Sequence, residues 1–228
     1  RVMATKKKKE NWIIKLLKIV VAIYLLLVLC QLIGDAYSRL SVTHKITVSE
    51  EWNLIVVNAW NELPEDYSVE LTELSNGQKV DSRIYPYLQE MFDAAREEGV
   101  YPVVREGYRT AEEQQEILED RIQTYINQGY SRSRAERTAK EWVALPGTSE
   151  HQLGIAVDIN ADKSMCSNEE VYAWLAENAY KYGFILTYPP GKQEITGTSY
   201  EPWHYRYVGV EAAQEIYEQG ICLEEYFE

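Results

Sequence analysis

The chain has 228 residues, of which 46% are hydrophobic, 26% charged and 12% aromatic, so it can bury a core, and collagen-like or wholly disordered organisation is excluded. Its formal net charge is −13, yet seven basic residues against Glu10 put +6 on residues 1–18, and setting these aside leaves −19 on everything after Lys18. That acidic remainder argues against nucleic acid as a partner, because neutralising phosphates takes a surface rich in Lys and Arg.

Residues 1–12 form a basic N-terminus dominated by Lys6–Lys9. From Ile19 to Ile33 the sequence IVVAIYLLLVLCQLI carries no formal charge, and extending it back to Ile13 makes a 21-residue stretch broken only by Lys15 and Lys18. About 20 apolar residues cross a bilayer as a helix, and lysines near its end can snorkel to the headgroups. Residues 13–33 therefore read as a transmembrane signal-anchor, with the lysine run holding the N-terminus in the cytoplasm and the acidic remainder outside. A cleaved signal peptide has the same basic-then-apolar order, although Gly34-Asp35-Ala36 matches a cleavage site poorly. Cys30 follows Leu29 rather than a small residue, which disfavours a lipoprotein signal, and a core helix is rarely apolar all round. Anchor and cleaved signal both export the same domain.

Residues 34–50, including His44, are polar and aperiodic and read as a stalk before a domain at 51–228. Leu54-Ile55-Val56-Val57 reads as a strand and Leu63-Pro64-Glu65-Asp66 as a turn. Ile84, Leu88, Met91, Phe92 and Ala95 follow helical spacing up to Gly99. After an extended run at Tyr101–Arg105, Thr110-x-x-Glu113 forms a capping box that opens a helix with Leu118 and Ile122 inward. A second helix is expected at about Arg134–Val143, then a buried strand at Ile155–Ile159. Ser167-x-x-Glu170 caps a further helix ending at Gly183, Phe184–Leu186 and Tyr205–Val208 read as strands, and Val210–Gln219 as a closing helix. Short strands without regular crossover helices favour an α+β fold over a doubly wound parallel sheet. Cys166 and Cys222, outside the apolar segment, permit one disulfide or two buried thiols.

Two of the three histidines lie in dense clusters of Gly, aromatic and charged residues: Ser149-Glu150-His151-Gln152-Leu153-Gly154-Ile155-Ala156-Val157-Asp158 and Glu201-Pro202-Trp203-His204-Tyr205-Arg206-Tyr207-Val208-Gly209. His151, Asp158 and His204 offer two imidazoles and a carboxylate, a complete set for a catalytic zinc with an open position. Asp158 sits between apolar neighbours, where an ionised carboxylate is costly unless paired or bound to a cation. A hydrogen-bonded structural His–Asp pair satisfies the same pattern, since the spacing is loose and no H-E-x-x-H helix is present. Glu201, three residues before His204, is placed to act as a base.

The combination S-E-H-Q-L-G-I-A-V-D-I and E-P-W-H-Y-R-Y-V-G, with an upstream G-Y-R-T followed by Gln114, resembles the VanY-type D-alanyl-D-alanine carboxypeptidases and related L,D-carboxypeptidases of bacterial cell walls. The resemblance runs from about Trp52 to Tyr226. It implies a small mixed or antiparallel sheet flanked by helices, the VanY/hedgehog-like peptidase fold, with one zinc ion held by His151, Asp158 and His204, and Glu201 as catalytic base. It implies too that Arg109 acts at the catalytic centre and binds substrate, with Gln114 and Ser149 near the substrate. The activity implied is removal of the C-terminal D-amino acid, D-Ala, from peptidoglycan stem peptides; L,D-carboxypeptidase, dipeptidase or endopeptidase action on the same stems, and a non-catalytic wall-binding module, are the alternatives. Two departures bear on which peptide tail fits: Glu106 stands before Gly-Tyr-Arg where the family usually has a small residue, and Thr187 stands before Tyr-Pro where many members have Arg.

Overall fold

A computed structural model of the chain describes residues 12, 14–31 and 51–227. It divides into two compact units, Arg1–Lys45 and Ile46–Glu228. In the first, α1 (Ile14–Gln31) is long and apolar enough to cross a membrane and is exposed along nearly all its length. The expected stalk at 34–50, with His44, and most of the basic N-terminus lie outside the described residues.

The second unit opens with an irregular segment and a small hairpin, β1 (Leu71–Glu73) and β2 (Lys79–Asp81). Then follow α2 (Tyr85–Glu97), β3 (Pro102–Glu106), α3 (Ala111–Asn127), α4 (Arg132–Ala139), β4 (Ala156–Ala161), α5 (Asn168–Asn178), β5 (Phe184–Leu186), the single turn α6 (Gln193–Thr196), β6 (His204–Tyr207) and α7 (Val210–Gln219). The larger sheet has the order β3-β4-β6-β5 with every neighbouring pair antiparallel, so the α+β expectation holds.

Period-2 alternation divides this sheet between core and site. Val157, Ile159, Tyr205 and Tyr207 point to one face and bury against Leu88, Met91 and Phe92 of α2 and Val171 and Leu175 of α5. Each large apolar side chain buried this way stabilises the fold by roughly 1.5–3 kcal/mol. Asp158, His204 and Arg206 take the opposite parity. In the β4–β6 register Asp158 lies directly across from His204 and Ala156 from Arg206, which brings side chains 46 residues apart onto one patch.

The capping box of α3 forms as the sequence indicates: Glu113 N–H donates to Thr110 Oγ1 at 3.2 Å, and Thr110 N–H donates to Glu113 Oε2 at 2.8 Å. This fixes Arg109 immediately before the helix. A parallel box at Ser167 starts α5. The α3–α4 pair packs through its own cluster of Leu118, Ile122, Ala135, Ala139 and Val143, separate from the main core.

Two expectations are corrected. Leu54–Val57 is not a strand, although Ile55, Val56 and Val57 are buried. The carbonyls of Asn53 and Ile55 accept from the Arg206 guanidinium instead of a neighbouring strand. The second helix starts earlier and stops at Ala139, after which residues 140–143 turn while Val143 stays buried. The β1–β2 hairpin, with strands too short to show alternation, was signalled only by Asn76-Gly77, and Gly77 takes φ +84° there. Cys166 and Cys222 are both free, and burial pushes the Cys222 thiol up to about 12.

Gly107 is required by close approach. A Cβ there would lie 2.2 Å from the Lys79 carbonyl oxygen, which also accepts from Tyr108 N–H at 2.6 Å. Gly107→Ala must therefore push the loop carrying Arg109 away from β2; we expect a loss of about 2 kcal/mol or more in denaturant unfolding, with Arg109 displaced.

Candidate active site

One cleft of about 430 Å³ gathers the expected site residues: His151, Asp158, His204, Glu201, Arg109, Gln114 and Ser149 all line it. His151 sits in a short 3-10 turn, Glu150–Leu153, closed by Gly154 at φ +75°. Its Nδ1 lies 2.8 Å from the Gly107 carbonyl, which assigns the proton to Nδ1 and leaves the Nε2 lone pair facing Asp158 Oδ1 at 3.4 Å. His204 is held the opposite way round. Its Nε2 lies 3.0 Å from Glu150 Oε2, and its Nδ1 lies 3.0 Å from the same Asp158 Oδ1. One ligand atom from each of His151, Asp158 and His204 lies within 4.8 Å of the others, a grouping that can hold a metal ion. The two imidazoles meet edge to face with centroids 4.9 Å apart.

Electrostatics follow from burial and these contacts. Burial alone would raise Asp158, but the charges and hydrogen bonds of His151 and His204 outweigh it and hold the carboxyl far below its usual range. Burial lowers His151. It would lower His204 too, yet hydrogen bonds to Asp158 and Glu150 raise that imidazole to about 10. Burial also lifts Glu201 to about 7, with His204 opposing the rise. Its Oε2 is 4.0 Å from His204 Nδ1, beside the ligand cluster rather than in it.

Arg109 projects from the loop before α3, with Nη2 3.6 Å from Asp158 Oδ2 and Nε 3.5 Å from Glu106 Oε2. Glu106, the first departure from the family pattern, thus touches the arginine expected to meet substrate. Gln114 is buried, and its amide is spent locally: Oε1 accepts from Arg109 Nη1 at 3.3 Å and Nε2 donates to the Ala144 carbonyl at 2.9 Å. Ser149 is buried at the cleft wall. Thr187, the second departure, is buried, and its N–H donates to the His204 carbonyl at 3.3 Å.

Sequence reasoning missed Glu150, and it left Arg206 outside the catalytic residues as a structural ion-pair partner. Arg206, fully buried, donates from Nη1 to Glu150 Oε1 at 2.6 Å, so a buried ion pair stands behind His204. Burial opposes ionisation of Glu150, but the Arg206 charge and the His204 hydrogen bond bring it down to about 2. The available signal was positional: Glu150 precedes one candidate ligand, and Arg206 follows the other by two on the same strand face.

A family model described as VanY, D-alanyl-D-alanine carboxypeptidase, matches residues 77–210, more than half of the chain. The chain belongs to the VanY family. A VanY relative, the D-alanyl-D-alanine carboxypeptidase of Enterococcus faecalis, is 60% identical over 177 residues, covering 78% of this chain and 66% of its own length. The chain thus spans just under two thirds of that relative. Among solved structures, a variant of the vancomycin-resistance D,D-pentapeptidase VanY from the VanB-type cassette, in complex with Zn(II), matches with TM-score 0.77 and 60% identity, over 78% of this chain and all of that one. VanYB in complex with D-alanine-D-alanine matches with TM-score 0.76 and 61% identity, over 77% of this chain and 97% of that one. The VanY resemblance read from the S-E-H-Q and E-P-W-H motifs is thereby borne out, as is the fold expected of VanY proteins.

Proposed function

We propose that this chain is a membrane-anchored zinc carboxypeptidase that removes the C-terminal D-amino acid, D-Ala, from peptidoglycan stem peptides. The convergence of His151 Nε2, Asp158 Oδ1 and His204 Nδ1 beside a buried glutamate carries the reading. The donor set fits the ion: two neutral imidazole nitrogens and one carboxylate oxygen, each ring oriented by a hydrogen bond from its other nitrogen, suit zinc with an open position. When bound, zinc supplies Lewis-acid polarisation of the peptide carbonyl and lowers the pKa of water.

The chain's own residues do the rest. Glu201, buried beside the candidate ligands, takes a proton from the attacking water and returns it to the leaving amine. Arg109 offers a guanidinium fork to the peptide's terminal carboxylate or to the developing oxyanion. Gln114 holds that fork in place, and Ser149 presents its polar side chain to the substrate. By α1 and the basic residues before it, the N-terminus stays in the cytoplasm and the domain at 51–228 faces the wall.

The direct test incubates the purified chain with zinc and with a pentapeptide or a tetrapeptide stem, and identifies released amino acids by mass. D-Ala from the pentapeptide alone establishes D,D-carboxypeptidase action; release from the tetrapeptide alone shifts the specificity to L,D. Peptide retention without release would mark a binding module and overturn the catalytic reading.

Glu150 is expected to matter through His204. Glu150→Gln keeps an acceptor for the imidazole but removes the charge, and zinc affinity by chelator competition should fall about 10–100-fold.

A further inference from the structure

The cleft wall includes residues beyond those at the ligand cluster. From the ligand cluster it runs outward along α3, where Arg121 and Tyr125 line it, to Trp142, which is 40% exposed. Gln114, Ile117, Arg121 and Tyr125 all line the cleft, at the spacing of one helical face. Arg121 forms no hydrogen bond or close ion pair among the described residues, and its charge reaches into the cleft as far as Glu201. The helix around it is strongly acidic, with Glu112, Glu113, Glu116, Glu119 and Asp120, yet the positions three and four away on either side are Ile117, Leu118, Thr124 and Tyr125. A cation without a carboxylate neighbour on its own face is thus directed into the cleft of a domain that is otherwise heavily anionic.

Distance decides which part of a substrate it meets. A carboxypeptidase leaves a single residue beyond the scissile bond, so the terminal carboxylate stays close to the ligands, within reach of Arg109 at 3.6 Å from Asp158. Arg121 follows Gln114, the partner of Arg109, by two helical turns, about 10 Å along the axis. An extended peptide covers that in about three residues.

We propose that Arg121 forms an outer subsite for a carboxylate carried about three residues before the scissile bond, on the acyl side of the peptide. The inference rests on the carboxypeptidase reading above. It makes Arg121 a specificity-determining residue that discriminates among stems by their remote charge, acting on binding rather than on chemistry.

The test uses the zinc-loaded full chain and two peptides ending in D-Ala-D-Ala, identical except for Glu or Gln at the third residue before the scissile bond. The parent enzyme should show a KM about fivefold lower for the Glu peptide, the scale of a partly exposed ion pair, with kcat similar for the two and the preference shrinking in high salt. Arg121→Gln should abolish the preference and Arg121→Glu should reverse it. Equal KM values in the parent, or a preference that survives Arg121→Gln, overturn the subsite while leaving the carboxypeptidase reading intact. Failure of the parent to cut either peptide overturns that reading and the subsite with it.

Discussion

Glu201→Gln is expected to lower kcat by about 10³–10⁴-fold with zinc content unchanged by elemental analysis. The amide has nearly the same shape and cannot accept the proton. Glu201 stands outside the ligand cluster, its oxygen 4.0 Å from His204 Nδ1, so replacing it leaves His151, Asp158 and His204 in place. In the metal-free chain burial lifts this carboxyl to about 7. A cation held beside it would pull the carboxyl back down, so the rate should rise with pH through an acid limb below 7, and the residual rate of the variant should lack that limb. The same burial has a thermodynamic sign: a folded pKa above the unfolded value stabilises at low pH, and the contribution is lost as pH rises through about 7. Metal-free Glu201→Gln should accordingly be more stable than the parent at pH 8. Activity left intact in Glu201→Gln would remove the assigned base.

The second large effect concerns the metal. His204→Ala is expected to abolish stoichiometric zinc and, with it, hydrolysis. A companion measurement on the parent isolates how the imidazole is held. In the metal-free protein His204 is raised to about 10 by its hydrogen bonds to Asp158 and Glu150, whereas Asp158 is already ionised and His151 is lowered. A ligand nitrogen must be free of its proton, so a zinc ion held by His204 Nδ1 would displace the proton there. Zinc affinity should therefore strengthen about tenfold per pH unit between 6 and 8, and calorimetry in buffers of different ionisation enthalpy should show about one proton released. A pH-independent affinity would contradict this arrangement.

The site was legible where chemistry is written into local pattern. His151 and Asp158 fall in one short segment, Glu201 and His204 in another, and the structure brings both segments to one cleft. The capping boxes at Thr110 and Ser167 and the closing helix at Val210–Gln219 were equally local, each set by residues within a turn or two. What escaped depends on partners far along the chain. Leu54–Val57 has the composition of a strand, but Arg206, about 150 residues away, takes the carbonyls of Ile55 and of the preceding Asn53. Glu150 reads as an ordinary acid beside a histidine until the fold sets it between His204 and Arg206. Gln114, expected near the substrate, is committed to Arg109 and Ala144 by a contact that spacing does not reveal.

The separate packing of α3 and α4 has an evolutionary consequence. Two of the three candidate ligands are borne by paired strands of the central sheet, whereas the outer wall rests on Leu118, Ile122, Ala135, Ala139 and Val143. Mutations that remodel that wall load a different set of contacts from those that hold the ligands. Under the proposed function, exchanging the helical hairpin beyond Ile117 between relatives should transfer peptide preference while leaving the rate of the chemical step unchanged.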